Sequence, residues 1–110
     1  MDSIVSALEE EGREAEKLIA KYEKELLSLP SGSFFVRSVG NGQYGYVTFS
    51  EGGRIGQRYL GRMSAEEIEE RRIQAERAKK LKSLKKLAEQ QRDFIKKALR
   101  HAYPTSKRSA

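Results

Sequence analysis

With 110 residues, 37% hydrophobic and 35% charged, the chain has little apolar material for a globular core and fits helices that bury only narrow stripes. A formal net charge of +6 and a pI near 9.7 favour an anionic partner, nucleic acid first, although the same charge also serves solubility. The lack of cysteine excludes disulfides and thiolate metal sites, and the acidic, amphipathic N-terminus has neither the basic flank nor the apolar run of a signal peptide. A cytoplasmic protein without a membrane span is expected.

Residues 1–29 are predicted as a first helix, from Ser3, a possible cap, to about residue 28. Ile4, Leu8, Ala15, Leu18, Ile19, Tyr22 and Leu26 recur at spacings of three and four. Gly12 interrupts this pattern at a cost of about 1 kcal/mol relative to Ala, so a kink or fraying is expected before it. Pro30, Ser31 and Gly32 close the segment.

Residues 30–63 read as a β-meander. Asn41-Gly42 is a strong signal for a type I′ hairpin turn, and pairing outward from it sets Val39 opposite Tyr44, Arg37 opposite Tyr46 and Phe35 opposite Thr48. One face then collects Phe34, Val36, Val47 and Phe49, which pack inward, with Gly45 leaving room for a neighbour. The other carries Phe35, Arg37, Val39, Tyr44, Tyr46 and Thr48. A turn at Glu51-Gly52-Gly53 returns a third strand over about Arg54–Leu60. Its register is open by one residue, and such a slip exchanges its faces; a bulged turn puts Ile55 and Tyr59 inward and Arg58 beside Arg37 outside.

Ser64-Ala65-Glu66-Glu67 is a capping box that opens the second helix, residues 64–103, with Glu66, Glu67, Glu69 and Glu70 at the positive end of its dipole. No Gly or Pro follows before Pro104, so the helix can run about 35 residues, roughly 50 Å. Leu81, Leu84, Ala88, Gln91, Ile95, Ala98 and Ala102 form a coiled-coil seam that Leu87, Phe94 and Leu99 widen. Residues 104–110 read as a disordered basic tail.

Residues 1–29 carry net charge −4, and residues 71–100 carry twelve bases against three acids. Opposite charge favours pairing the two helices, and the surplus positive charge leaves a nucleic-acid surface open as well. The fold class expected is α+β: two long antiparallel coiled-coil-like helices joined by a three-stranded antiparallel β-meander.

Leu29-Pro30, Gly32-Ser33, Tyr44, Tyr46, Glu51-Gly52-Gly53-Arg54 and Tyr59-Leu60-Gly61 give this chain the pattern of a family of small uncharacterised bacterial and archaeal proteins, which it resembles over the meander and in the layout of both helices. That resemblance carries no activity. The meander is also similar to the short N-terminal sheet of transposases and, more distantly, to the three-stranded sheets with which phage-type integrases enter the major groove. The chain stops where a transposase's catalytic domain would start, so the likeness implies DNA attachment without strand transfer, with Arg37, Tyr44, Tyr46 and Arg58 as contacts. Strand two has only two tyrosines, which implies a smaller aromatic surface than is usual there.

The expected function is thus a small non-enzymatic accessory protein that binds nucleic acid, DNA before RNA, and belongs to a mobile element. The candidate contacts are Arg37, Tyr44, Tyr46, Arg54, Arg58 and Arg62 on the meander and Lys79, Lys82 and Lys86 on the second helix. The alternative is a coiled-coil adaptor whose sheet docks another protein. No catalytic residue, metal site, cofactor or small-molecule substrate is expected: His101 is the sole histidine, and the glycine motifs are turns without phosphate-loop spacing. The second helix is basic and amphipathic, but its Ala-rich stripe lacks Trp and suits a partner helix better than a membrane. Because it outruns the first helix, its unpaired seam predicts a homodimer.

Overall fold

The structure, a computed structural model, describes residues 3–102; the basic tail expected at 104–110 lies outside them. The order of elements is α1 (Ser3–Leu27), β1 (Ser33–Val39), β2 (Gly42–Glu51), β3 (Arg54–Arg62) and α2 (Ala65–Ala102). The fold is α+β, with two helices joined by a three-stranded antiparallel meander in the order β1-β2-β3. It divides into two compact units: residues 3–26 with 81–102, and Leu27–Lys80. Among the described residues no helix is long and apolar enough to cross a membrane.

In the helical unit, α1 packs antiparallel to residues 81–102 of α2. The buried line is Ala15 and Ile19 on α1 with Leu81, Ala88 and Ile95 on α2, the α2 residues at a seven-residue spacing. Gly12 does not break α1. A Cβ there would stand 3.4 Å from Ile95 Cγ2, so the residue lets the helices approach closely where the sequence suggested a kink. Lys85 Nζ lies 3.3 Å from Glu23 and Arg92 Nη1 4.0 Å from Glu16, so opposite charges do meet across the pair. Within α1, Arg13 donates to Glu10 at 2.7 Å. That bond, with the attraction of the same guanidinium, holds the Glu10 carboxyl below its ordinary value and the Arg13 guanidinium above its own. Arg92 is likewise raised by its hydrogen bond to Asp93.

The expected widening of the seam by Leu87 and Phe94 does not occur: they are 62% and 70% exposed, while Leu99 is half-buried. One apolar stripe three residues wide is enough for a single partner helix, and α1 covers the Leu81–Ala88–Ile95 line. Nor does the surplus length of α2 form a free seam. Residues 65–80 belong to the sheet unit, where Ile68 is buried and Arg71 lies 5.8 Å over the Phe34 ring.

The start of α2 is as the sequence reads. Ser64 N donates to Glu67 Oε1 at 2.8 Å and Glu67 N to Ser64 Oγ at 3.1 Å, the reciprocal capping box. Met63, just before it, donates its backbone N–H to the Gln43 carbonyl at 2.9 Å and seats its sulfur against Gly45, where a side chain would collide. Gly45 thus does leave room for a neighbour. Phe34, Val36, Val47 and Phe49 share one face of the sheet, with Val47 buried and the others half-buried.

The hairpin register differs from expectation by two residues. Val39 pairs with Gly42, Arg37 with Tyr44 and Phe35 with Tyr46. Gly40 and Asn41 are the turn's central residues, and Gly40 alone has positive φ, 61°, the pattern of a II′ turn. A shift of two keeps every side chain on its face, so the partition of β1 and β2 stands. The turn with both central residues at positive φ is the second one, at Gly52 and Gly53.

Candidate nucleic-acid interface

The candidate surface is the face of the meander opposite Phe34 and Val47. Alternation along each strand puts every second residue there, and pairing brings them into rows. Phe35, Tyr46 and Tyr59 make one row across three strands; Arg37, Tyr44 and Arg62 make the next. The result is an aromatic rung beside a basic rung with a tyrosine at its centre.

β3 reaches this arrangement through a bulge. Tyr46 pairs with Tyr59 but Gly45 pairs with Gly61, so Leu60 is the extra residue. Strict alternation would put Tyr59 and Arg62, three apart, on opposite faces; the bulge puts them on one. Gly61, at φ 100°, supplies backbone that a side-chain-bearing residue resists.

This corrects the expected third strand. Ile55 and Tyr59 are outward, 80% and 57% exposed, rather than inward. Arg58 is not beside Arg37: it pairs with Val47 and so takes the opposite face, with its guanidinium 5.9 Å over the Phe49 ring. Arg54 shares that opposite face, paired with Glu51 at the second turn. The structure therefore gathers Arg37, Tyr44, Tyr46 and Arg62, adds Phe35 and Tyr59, and leaves out Arg54 and Arg58. Lys79 is exposed on α2 within the sheet unit, whereas Lys82 and Lys86 are exposed in the helical unit. With Tyr59 joining Tyr44 and Tyr46, the aromatic surface is larger than two tyrosines suggested.

Ring geometry restricts what the surface can do. The Phe35 and Tyr46 centroids are 5.3 Å apart with planes 13° from parallel, and Tyr46 and Tyr59 are 5.2 Å apart at 48°. Rings lying flat side by side cannot bring their centres so close, so Phe35 and Tyr46 stand on edge in offset stacking. Tyr44 lies 6.5 Å from Tyr59. The Arg37 guanidinium rests 5.3 Å from the Tyr46 ring centre and 5.8 Å from that of Phe35. Ring faces are spent on one another and on Arg37, so a ligand meets ring edges, phenol oxygens and guanidinium N–H groups.

Among the described residues no carboxylate forms an ion pair with Arg37, Arg54, Arg58 or Arg62, nor with Lys79, Lys82 or Lys86. Nor do the described residues hold any cluster of His, Cys, Asp or Glu able to bind a metal ion.

Residues 7–70 match the family described as a domain of unknown function, DUF6788, which spans more than half of the chain. No curated protein matches, and no solved structure does.

Proposed function

The chain belongs to the DUF6788 family, whose matching region, residues 7–70, contains the whole aromatic and basic face of the meander. We propose that the protein is a non-enzymatic nucleic-acid-binding accessory protein of the cytoplasm that uses this face, and that DNA duplex is its preferred ligand. The observation that carries the reading is the Arg37–Tyr44–Arg62 rung beside the Phe35–Tyr46–Tyr59 rung, with both arginines lacking a carboxylate partner. Buried or paired arginines would be structural; arginines held in position by rings and left without a counter-ion suit phosphate or a guanine edge.

Three strands about 4.8 Å apart make a ribbon about 10 Å wide. The major groove, about 12 Å across, admits it. Standing rings favour the duplex over single strands, because base stacking needs an open ring face, and hydrogen bonding to phosphate needs only the phenol tip. The likeness of the meander to the transposase N-terminal sheet supports DNA over RNA and a mobile-element origin.

The test is binding of labelled duplex DNA, duplex RNA and single strands to nuclease-treated protein at low salt. Duplex DNA should bind tightest, and log K should fall with log salt at about −0.9 per phosphate neutralised. Lack of binding to any of the three, or binding indifferent to salt, refutes the reading. Arg37→Glu discriminates it from a protein-docking role, since the reversal abolishes phosphate contact.

A further inference from the structure

The helical unit carries a face that neither its own packing nor nucleic-acid binding explains. At 3.6 residues per turn, Ser83, Leu87, Gln90, Gln91, Phe94 and Ala98 fall on one side of α2, within about a 100° arc. Leu87 and Phe94 are its two large apolar side chains, 62% and 70% exposed. On the neighbouring helix Leu18, 38% exposed, and Glu11, which accepts a hydrogen bond from Gln91 at 3.4 Å, flank the same side. None of the six α2 residues is charged, in a stretch where Lys82, Lys85, Lys86, Arg92, Lys96 and Lys97 occupy the rest of the helix surface. An anionic ligand would find nothing to pair with there.

The order of residue types along this face is the same in both directions. Ser83 mirrors Ala98, Leu87 mirrors Phe94 and Gln90 mirrors Gln91, about a centre between the last two. We infer that the face is occupied by the same face of a second copy of this chain, α2 against α2 antiparallel, with the two-fold axis passing between Gln90 and Gln91. A two-fold contact must be self-complementary: each residue meets its mirror. Here small meets small, Leu87 of each copy meets Phe94 of the other, and the glutamines meet at the axis, where each amide both donates and accepts. No like charges are opposed. A foreign partner would impose no such symmetry on the sequence. The contact differs from a seam on surplus length beyond α1: it lies on the flank of the helix pair.

The test uses the full chain, treated with nuclease, in sedimentation equilibrium from micromolar to millimolar concentration. The expected species has twice the 12.5 kDa chain mass. Leu87→Glu combined with Phe94→Glu alters two exposed side chains, so the variant should keep wild-type helicity by circular dichroism while sedimenting as a single chain. Because the protein has no cysteine, single substitutions report the geometry. Gln90→Cys should form an interchain disulfide faster than Lys24→Cys, and Ser83→Cys should cross-link to Ala98→Cys in a mixture but not to itself. A monomer at every concentration overturns the inference. So do a dimer that survives both glutamates, equal cross-linking at 24 and 90, or self-linking of Ser83→Cys, which would mean a parallel contact.

Discussion

In the helical unit Lys85 reaches Glu23, Arg92 reaches Glu16 and Asp93, Arg13 reaches Glu10 and Lys17 reaches Glu14; in the sheet, Arg37 and Arg62 reach no carboxylate and Arg37 rests on rings instead. Exposed ion pairs of the first kind are worth little to stability, up to about 1 kcal/mol each. Their consequence is electrical: they cancel charge at short range and leave less for a ligand. The comparison teaches that a net charge of +6 says nothing about where an anion would bind. Placement decides, and the meander has the arginines whose charge nothing in the chain offsets.

Four experiments break or sharpen that contrast. The largest effect belongs to the helical unit's core. Leu81 is 1% exposed, and Leu81→Ala should cost about 2–5 kcal/mol in chemical unfolding followed by circular dichroism. The affinity of protein still folded for duplex DNA should not change; if it falls in step, the helices rather than the sheet face hold the ligand.

Next comes the sheet itself. Arg37→Gln should cost about 1–3 kcal/mol of duplex affinity if the guanidinium contacts a base edge, measured by fluorescence anisotropy. Arg58→Gln, on the opposite face, should cost far less, and equal losses would mean that charge alone, irrespective of face, drives binding.

Ser64→Ala is smaller. It removes one half of the capping box and should cost about 0.5–2 kcal/mol in the same unfolding measurement, with Ser64→Asp restoring most of it.

The smallest effect is the pH response of the Arg13–Glu10 pair. Its hydrogen bond from Arg13 holds Glu10 below the ordinary value of 4.5, so its pKa is lower folded than unfolded. The pair therefore stabilises the fold above that ordinary value and ceases to do so as pH falls through the folded one. Glu10→Gln should lose less stability than wild type between neutral and acid pH; an identical loss would show the pair to be inert.

The sequence displays its helices, its strands and the faces of β1 and β2 openly, because each rests on a short-range pattern. Ser64 and Glu67, three residues apart, announce the cap, and Phe34, Val36, Val47 and Phe49 keep to one side under any even shift of register. What it conceals is set by single residues acting against pattern. Gly40, Asn41 and Gly42 offer two turns of similar merit, and the choice of Gly40-Asn41 moved the hairpin by two. Leu60 is one residue too many for alternation, which sent Tyr59 to the wrong face and Arg58 with it. Gly61 was the available signal, since an isolated glycine late in a strand marks a bulge. Leu87 and Phe94 were counted into the seam because their spacing fits; only the docking of α1 along Leu81, Ala88 and Ile95 shows which flank stays uncovered.

The most direct test of the claim that the outer face of the meander is the contact surface is a chemical-shift map of the labelled protein as a short DNA duplex is added. The account predicts that the perturbed signals cluster at Phe35, Arg37, Tyr44, Tyr46, Tyr59 and Arg62, while Val36, Val47 and Phe49 on the reverse face stay still. Shifts confined to the helical unit around Lys82 and Lys86, or spread evenly over both faces of the sheet, would contradict it.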